Sequence, residues 1–466
     1  MATTIVLLRQ RDLRLHDNPA LYHAAKKGEV LPLFVLDDTI ASQQSSAQHW
    51  WLHRSLEQFI ANLHAIGGEL IIRRGNTETI ILDVLKQTSS SAVFWNRCYE
   101  PAVYIKDQQL AKQLDKMGVT VQTFENQLLL PPWKTKKMDG TPYKVFTSFY
   151  KNLQKQDIPE PLPSVSHIAI ANVHTQSLTV SELELLPTIQ WTEKLKPYWD
   201  MNEQAALAKL QQFTEQSLIH YQEKRDYPSA AKHSALSPYL ATGLLSARMV
   251  YHYILQSGMY GEAFLRQLAW REFSWHVLFH SPESTQHPLN AKFEHFRWEN
   301  DEAFLHLWKR GQTGYPLVDA GMRELWETGF MHNRIRMVVA SFLTKHLLIH
   351  WSKGADWFFD TLVDADLGNN TMGWQWAAGT GADAAPYFRI FNPVLQGKKF
   401  DEEGEYIKRW VPELQSLPAK YIHEPHKAPQ SVLRSAHITI GKDYPAPIVD
   451  HQTARARALE RYEEIK

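Results

Sequence analysis

Short apolar runs recur through the first 125 residues, and stretches with helical periodicity separate them. The runs occupy positions 5–8, 31–36, 70–72, 92–95 and 119–121. Strands that alternate with helices are typical of a parallel sheet covered by helices on both faces. The sequence therefore predicts an α/β N-terminal domain over residues 1–127, with a parallel five-stranded, Rossmann-like sheet. No Gly-x-Gly-x-x-Gly follows the first run, so this domain need not bind the main cofactor.

The remaining chain changes character twice. Residues 128–200 are rich in Pro, Ser, Thr and Gln and have little periodicity, which predicts an interdomain connection over the surface. From residue 201 to residue 466 the pattern is almost wholly helical, which predicts an all-helical C-terminal domain. A chain of 466 residues is long enough for two or three domains of this kind.

Several classes of function are excluded by what the sequence lacks. The one cysteine, Cys98, rules out an internal disulfide and a cysteine-rich metal site. The 22 histidines have no ligand spacing, and neither a phosphate-binding loop, His-Glu-x-x-His nor Gly-x-Ser-x-Gly is present, so we predict no metal site and no hydrolase. The N-terminus resembles neither a signal peptide nor a membrane span, so we expect a cytoplasmic protein. Lys plus Arg and Asp plus Glu are 50 each, so nucleic-acid binding requires a local basic patch.

Residues 364–393, DADLGNNTMGWQWAAGTGADAAPYFRIFNP, concentrate carboxylates, amides, glycines and two tryptophans. Two helical steps place Trp374 and Trp376 on opposite sides, so one can face the interior while the other faces a ligand. Taken singly, both tryptophans are more often core residues. Together with the nearby carboxylates and amides, they favour a site for a large flat cofactor and a second flat ligand.

Two further patterns suit ligands but also have ordinary structural explanations. Asn333 and Met337 lie four residues apart, so a helix places them on one face, with Arg334 beside them. Arg336 is turned about 200° from Arg334 and can serve another ligand, although a solvated basic face is the alternative. A helix that begins near Ser237 suits a pyrophosphate at its N-terminus, although an ordinary helix cap fits equally.

Six segments together resemble the DNA photolyase and cryptochrome family, in family order and at family spacing. They are RQRDLRLHDNPAL, LSPYLATG, WREF, GQTGYPLVDAGMREL, MHNRIRM and GWQWAAGTGADAAPYFRIFNP. The resemblance implies an α/β domain, a long linker and a helical domain that holds FAD. It further implies a light-driven lyase in which reduced FAD donates an electron to a flipped-out pyrimidine dimer, which splits and returns the electron.

The resemblance also assigns roles to individual residues. FAD would be bound by Tyr221, His233, Ser234, Leu236, Ser237, Arg271, Arg336, Asp364, Asp366 and Asn370, with Asn370 facing the flavin N5. Photoreduction would follow Trp374, Trp351 and Trp298 to the surface. The lesion and its strand would be bound by Arg225, Gln267, Trp270, Asn333, Arg334, Met337 and Trp376, with Gln267 and Asn370 also counted as catalytic.

A few positions indicate the branch of the family. The (6-4) photolyases carry histidines where this chain has Asn333 and Met337, and plant cryptochromes carry Asp where it has Asn370, so the chain most resembles microbial cyclobutane pyrimidine dimer photolyases. Gln267 replaces the usual Glu, which predicts lesion binding with a lower repair yield. The alternatives are a non-repairing photoreceptor and, disfavoured by Asn333 and Met337, a (6-4) photolyase. Ala102 and Val103 do not fit the folate pattern, which leaves a deazaflavin, another flavin or no antenna. We expect a monomer that acts on UV-damaged DNA and associates with the nucleoid when bound.

Overall fold

The computed structural model describes residues 3–38, 45–171, 175–230 and 232–466. The chain divides into two compact units, each built from several segments. Unit I contains Met1–Ile219, Ser234–His280 and Val363–Ala365. Unit II contains His220–His233, Ser281–Leu362 and Asp366–Lys466. The three sequence ranges 1–127, 128–200 and 201–466 stay a prediction of domain organisation.

Unit I is built on the predicted parallel sheet. Its five main strands are β1 Thr3–Leu8, β2 Glu29–Leu36, β3 Ile71–Arg74, β4 Ala92–Asn96 and β5 Thr120–Phe124. They lie in the order β3-β2-β1-β4-β5, and all pairs are parallel. Each strand overlaps one of the apolar runs, so the predicted α/β fold class is confirmed.

Helices cover both faces of the sheet because successive side chains of a buried strand point to opposite sides. Val6 and Phe34 face one apolar cluster with helices α1 Pro19–Lys27 and α2 Ser46–Ala65. Ile5 faces the other cluster, which contains side chains from two further helices. These are α3 Thr77–Thr88 and α4 Pro101–Lys116. The continuous apolar runs of the strands follow from this burial on both faces.

The segment expected to lie over the surface also contributes to the core of unit I. A short strand, β6 Ala169–Ile170, pairs in parallel with β2, and helix α5 Phe146–Leu153 precedes it. Val180 and Leu183 belong to the same apolar cluster as α1 and α2. The expectation of a surface connection therefore holds only in part, because isolated apolar residues in this segment are buried without any periodic pattern.

The rest of the chain is almost entirely helical, as the sequence predicts. In chain order the helices are α6 Glu203–Gln216, α7 Tyr221–Lys224, α8 Ser237–Ala241, α9 Ala247–Gln256, α10 Glu262–His280, α11 Glu302–Arg310, α12 Pro316–Thr328, α13 Asn333–Ser341, α14 Trp351–Thr361, α15 Leu367–Ala378, α16 Pro393–Phe400, α17 Glu405–Trp410, α18 Ala419–Ile422, α19 Gln430–Ser435 and α20 His451–Glu463. A π-helical turn, Phe342–His346, continues α13. Within the described ranges, no helix combines the length and apolar character needed to cross a membrane.

Buried polar contacts join the first twenty residues of unit I to its later helices. Asp17 is fully buried and accepts hydrogen bonds from Arg248 Nη2 at 2.7 Å and from Ser246 Oγ at 2.5 Å. Arg14 donates to the carbonyl oxygen of Gly243. Gly243 has φ +76°, and a Cβ there would lie 2.1 Å from the carbonyl oxygen of Arg11. The opening RDLRLHD motif thus has a structural use inside unit I.

Candidate functional site

Helix α13 carries two of the predicted lesion residues of unit II, Asn333 and Met337, on one face. His332 caps the helix, its Nδ1 accepting from the backbone N–H of Arg334 at 3.2 Å. Asn333 Nδ2 lies 3.9 Å from Met337 Sδ, which confirms that these two side chains share a face. Asn333 is exposed and Met337 is half-buried, so this face can contact another molecule.

The predicted DNA-binding arginines of unit II already have partners. Arg334 Nη2 lies 2.9 Å from Asp226 Oδ1, and its guanidinium covers the ring of Phe400 at 4.4 Å. Arg225 Nε is 3.9 Å from the same Asp226 oxygen. One carboxylate therefore orients two arginines, which fixes their positions and reduces the local positive charge.

Arg336 points elsewhere, as the helical rotation predicts. Its Nε donates to the carbonyl oxygen of Met331 at 2.7 Å, and its guanidinium lies 5.4 Å from the ring centroid of Phe330. Phe330 in turn stacks on His233 at 5.6 Å, and His233 lies edge-on to His332 at 5.5 Å. Burial lowers the pKa of His332 to about 3, so this histidine is neutral.

Tyr221 begins α7 and is 9% exposed, with Arg225 5.7 Å from its ring centroid. Burial raises the pKa of its phenol, so it is a neutral hydroxyl at physiological pH. The structure thus brings Tyr221, Arg225, His233 and Arg334 into the same part of unit II.

The start of α15 holds the carboxylates and amides predicted to face the flavin. Asp366 is the N-cap residue, and its Oδ1 accepts from the backbone N–H of Asn369 at 2.9 Å. Asn370 Nδ2 donates to the carbonyl oxygen of Ala355 at 2.9 Å, which fixes the plane of its amide. Asp366 is buried in unit II, and Asp364 is buried in unit I.

Trp374 and Trp376 lie on opposite sides of α15, as predicted. Trp374 is 2% exposed and packs against Gly354 of α14, where a Cβ would lie 2.0 Å from its ring. Trp376 is half-buried. One tryptophan is therefore an interior residue, and the other retains surface available to a ligand.

Gln375 between the tryptophans has a structural role that the sequence did not reveal. It is 1% exposed, and its Nε2 donates to the carbonyl oxygens of Ser284 at 2.6 Å and His287 at 2.9 Å. Its Oε1 accepts from the backbone N–H of Leu289 at 3.0 Å. Its amide thus fixes the loop after α10.

The three tryptophans predicted to carry electrons all lie in unit II. Trp351 is 1% exposed, and Trp298 is half-buried. The ring of His350 lies 5.2 Å from that of Trp298 and 5.3 Å from that of Trp351, so it fills the space next to both. Burial lowers the pKa of His350. Sequence reasoning missed this histidine because only proximity in space relates it to Trp298.

In unit I, helix α10 carries Gln267, Trp270 and Arg271. Gln267 and Trp270 are half-buried, and Trp270 stacks face to face on Phe146 at 3.7 Å and 7°. Arg271 Nη1 is 2.9 Å from Glu272 Oε1. Glu272 is fully surrounded, and burial raises its pKa to about 7 despite the neighbouring guanidinium.

The segment before α8 holds the predicted phosphate-binding residues of unit I. Ser234 Oγ accepts from the backbone N–H of Leu236 at 3.3 Å, and Ala235 between them has φ +51°. Leu236 is fully buried, whereas Ser237 at the start of α8 is exposed. The helix start predicted near Ser237 is confirmed.

Arg271 of α10 fits an anionic cofactor that has many hydrogen-bond acceptors, such as FAD. Arg271 is 8% exposed, yet its Nε has no hydrogen-bond partner among the described residues. Buried donors without partners are uncommon in folded proteins. In the ranges that the structure describes, no group of three potential metal ligands occurs.

Comparison with known proteins identifies the family. A family model for DNA photolyase matches residues 4–166, and one for the FAD binding domain of DNA photolyase matches residues 264–464. The chain therefore belongs to the DNA photolyase family and carries its FAD-binding domain. The predicted family, the photolyase enzyme class and the FAD cofactor are confirmed.

Individual relatives cover nearly the whole chain. A deoxyribodipyrimidine photo-lyase of Agrobacterium fabrum is 44% identical over 99% of this chain and 98% of the relative. The crystal structure of a bacterial class III photolyase from Agrobacterium tumefaciens superposes with a TM-score of 0.96 at 43% identity, covering 100% and 98% of the two chains. Cryptochrome-2 of Arabidopsis thaliana is 37% identical over 99% of this chain and 79% of the relative.

Proposed function

We propose that this protein uses light to repair cyclobutane pyrimidine dimers in DNA. The observation that carries the proposal is the partly exposed face formed by Asn333 and Met337, which offers an amide and a thioether and no histidine. The 44% identity with a deoxyribodipyrimidine photo-lyase supports the same reaction. The protein would act as a monomer and associate with the nucleoid while bound to damaged DNA.

The proposed cofactor residues hold and orient FAD. Ser234 and Ser237 offer hydroxyl donors for phosphates, and Arg271 offers a buried positive charge. Asn370 presents a neutral amide that is held in place by Ala355, so it adds no charge beside the ring. Bound and reduced FAD supplies the light-driven electron for the cyclobutane ring. The other members of the proposed set are Tyr221, His233, Leu236, Arg336, Asp364 and Asp366.

The proposed electron relay runs through Trp374, Trp351 and Trp298. Burial of Trp374 and Trp351 excludes water, whereas the half-buried Trp298 can exchange electrons with a reductant in solution. Packing holds the indoles in place, because Trp374 fits against Gly354 and His350 contacts the rings of both Trp298 and Trp351.

The proposed lesion residues bind the dimer by stacking and hydrogen bonding. Trp270 and Trp376 offer ring faces, and stacking contributes about 1–3 kcal/mol per base. Extruding a nucleotide costs a few kcal/mol, and less for one that is already badly stacked. A dimer is therefore selected over an intact pair before any chemistry. Arg225 and Arg334 contact the strand, and Gln267 hydrogen-bonds to the thymine edge.

Illumination of the reduced protein with defined lesions tests the proposal. One DNA should contain a cyclobutane dimer and the other a (6-4) lesion, with a dark sample as control. We expect blue light to restore the first DNA only. Absence of reversal of the cyclobutane dimer would refute the proposal, and reversal of the (6-4) lesion would refute the assignment of substrate.

Gln267→Glu tests the one proposed lesion residue that departs from the usual photolyase pattern. A carboxyl group adds a negative charge or a proton donor beside the dimer, so we expect a higher repair yield per absorbed photon with little change in lesion affinity. Gln108→Glu, at an exposed position of α4, is the matched control. An unchanged yield in Gln267→Glu would show that the amide does not limit repair.

A second candidate function is a photoreceptor that retains the flavin and the tryptophans without repairing DNA. The 37% identity with Cryptochrome-2 favours keeping it as the alternative. Light-dependent flavin reduction without reversal of either lesion would support this alternative.

A further inference from the structure

A basic hairpin is attached to the helix that carries the proposed lesion residues of unit I. Residues 134–144, KTKKMDGTPYK, are called here the lysine loop. Its four lysines are exposed, and none of them forms an ion pair with a carboxylate among the described residues. They are Lys134, Lys136, Lys137 and Lys144. A cluster of unpaired cations on a chain whose formal net charge is zero indicates an anionic partner.

The lysine loop is an ordered hairpin. Lys136 pairs with Pro142 in an antiparallel bridge, and the N–H of Lys137 donates to the carbonyl oxygen of Thr141 at 3.0 Å. The single acidic residue, Asp139, accepts from the backbone N–H and the hydroxyl of Thr141 at 2.9 and 2.7 Å. These two hydrogen bonds hold the carboxylate of Asp139 against the turn. Met138 stands fully exposed at the tip.

One histidine fixes both stems of the lysine loop. His276 Nε2 lies 3.0 Å from the backbone N–H of Tyr143, which can only donate, so this ring nitrogen accepts. The ring proton therefore sits on Nδ1, which faces Thr135 Oγ1 at 3.2 Å. The hydroxyl of Thr135 in turn donates a hydrogen bond to the carbonyl oxygen of Pro132 at 3.1 Å. Burial lowers the pKa of His276 to about 3, so the neutral ring persists at physiological pH.

His276, called here the anchor, connects the lysine loop to the helix that carries the proposed lesion residues. His276 belongs to α10, together with Gln267 and Trp270. Phe146 follows the loop by two residues and stacks on Trp270 at 3.7 Å. Arg266 of the same helix adds a guanidinium 4.9 Å from the ring of Phe146. The loop thus has a fixed position relative to Trp270.

We propose that the lysine loop binds the sugar-phosphate backbone of DNA next to the flipped dimer. This proposal rests on the proposed function, because the substrate places a polyanion beside α10. Lysine contacts with phosphates release counterions and carry no sequence information. The exposed Met138 suits such a partner as well, since apolar side chains insert at base steps of distorted duplexes.

Salt dependence of DNA binding tests the lysine loop. The double variant Lys136→Gln/Lys137→Gln should weaken binding of damaged and undamaged duplex alike and leave their affinity ratio unchanged. The slope of log K against log salt should fall by about 1.8 if both lysines contact phosphates, at roughly 0.9 each. The control Lys112→Gln/Lys116→Gln removes two exposed charges from α4 and should change neither quantity. An unchanged slope in the loop variant, or an equal loss in the control, would overturn the proposal.

A second variant tests the role of His276 in positioning the loop separately from the role of the lysine charges. His276→Phe keeps every lysine but removes both ring hydrogen bonds, so trypsin should cleave at Lys136 and Lys137 faster and binding should weaken. His276→Gln, which can still donate and accept, should restore part of both properties. Flavin absorbance and circular dichroism report that each variant is folded. Unchanged cleavage in a folded His276→Phe variant would refute the anchor.

Three further outcomes are distinguishable from the results above. Wild-type protein that neither binds nor repairs dimers would refute the proposed function itself, whatever the loop does. A Lys136→Gln/Lys137→Gln variant that binds dimers as tightly as a repair-active wild type would refute only the role of the loop. If the Lys136→Gln/Lys137→Gln variant loses binding to vesicles of phosphatidylcholine and phosphatidylserine but still binds DNA as the wild type does, the loop binds a lipid surface and the proposal is overturned.

Discussion

Lys345 shows how burial acts on a single charge in unit II. It is fully buried in the π-helical turn after α13, and its Nζ donates to the carbonyl oxygen of Arg389 at 3.2 Å. The ammonium also lies 5.1 Å from the ring centroid of Tyr387. No carboxylate in the part of the chain that the structure describes pairs with it. Burial therefore lowers the pKa of Lys345 to about 7.

Replacing this lysine should stabilise the protein in a pH-dependent way. Below pH 7 both folded and unfolded chains carry the proton, so Lys345→Met removes a buried charge and should raise the free energy of unfolding by about 1–3 kcal/mol. Between pH 7 and 10.5 the folded chain holds fewer protons, so the wild type gains stability and the difference shrinks. Urea unfolding at pH 6 and pH 10 measures this. Lys353→Met, at an exposed position, is the control, and an equal gain at both pH values would contradict the assignment.

Relations within one helix were predictable from the sequence, whereas partners distant in sequence were not. The shared face of Asn333 and Met337 and the opposed faces of Trp374 and Trp376 follow from 3.6 residues per turn. Gln375 lies in the segment 364–393 that is predicted to hold a flat ligand. Its partners in the loop that contains Ser284 lie about ninety residues earlier, and no local pattern encodes that contact.

At the scale of elements, α14 and α15 pack closely through a glycine. A Cβ at Gly354 would lie 2.0 Å from the ring of Trp374, so only glycine allows this approach. The same glycine thereby sets the position of a proposed member of the electron relay.

Gly354→Ala should displace the Trp374 ring, lower the free energy of unfolding by about 1–3 kcal/mol and slow photoreduction of the flavin. Gly373→Ala is the matched control on α15, because no atom lies within 4 Å of a Cβ at that position. Transient absorption under blue light and urea unfolding measure the two effects. Equal photoreduction rates in both variants would show that the position of Trp374 does not affect the electron relay.

The segment between the sheet and the later helices packs into the core of unit I through residues that a periodicity search cannot find. The strands were predictable because each is a compact apolar run. Val180 and Leu183 stand singly among polar residues, so their burial depends on the neighbouring cluster and on the pairing of β6 with β2.

Leu183→Ala should therefore cost about 2–5 kcal/mol, the usual loss for a buried leucine. Leu186→Ala, three positions further on and 39% exposed, should change stability by less than about 1 kcal/mol. Urea unfolding compares the two variants, and hydrogen exchange of β2 locates the loss. Similar midpoints for both variants would show that the segment only covers the surface.

At the scale of the whole molecule, unit I is assembled from segments far apart in sequence. Asp17 and Arg248 form its central buried ion pair at 2.7 Å, with Ser246 as a second donor. The α/β sheet is thereby tied to helix α9. This arrangement was not predictable, because neither residue carries a local signal of its partner.

A double-mutant cycle tests the ion pair between Asp17 and Arg248. Arg248→Met leaves the Asp17 carboxylate buried without its cation and should cost about 3–5 kcal/mol. Adding Asp17→Asn removes the uncompensated charge, so the double variant should lose less than the sum of the two single variants. Urea midpoints give all four corners of the cycle. Lys408→Met, at a solvent-exposed pair with Glu405, is the control, and additive losses would show that the two residues act independently.

Because unit I is built from segments that are far apart in sequence, it cannot fold completely until late in synthesis. The last main strand ends at Phe124, but Gly243, Ser246 and Arg248 are made about 120 residues later, which takes roughly 6–24 s at 5–20 residues per second. Asp17 cannot form its ion pair with Arg248 or its hydrogen bond with Ser246 until then. During this interval of synthesis the sequence of the main sheet is complete, but the carboxylate of Asp17 still lacks its cation.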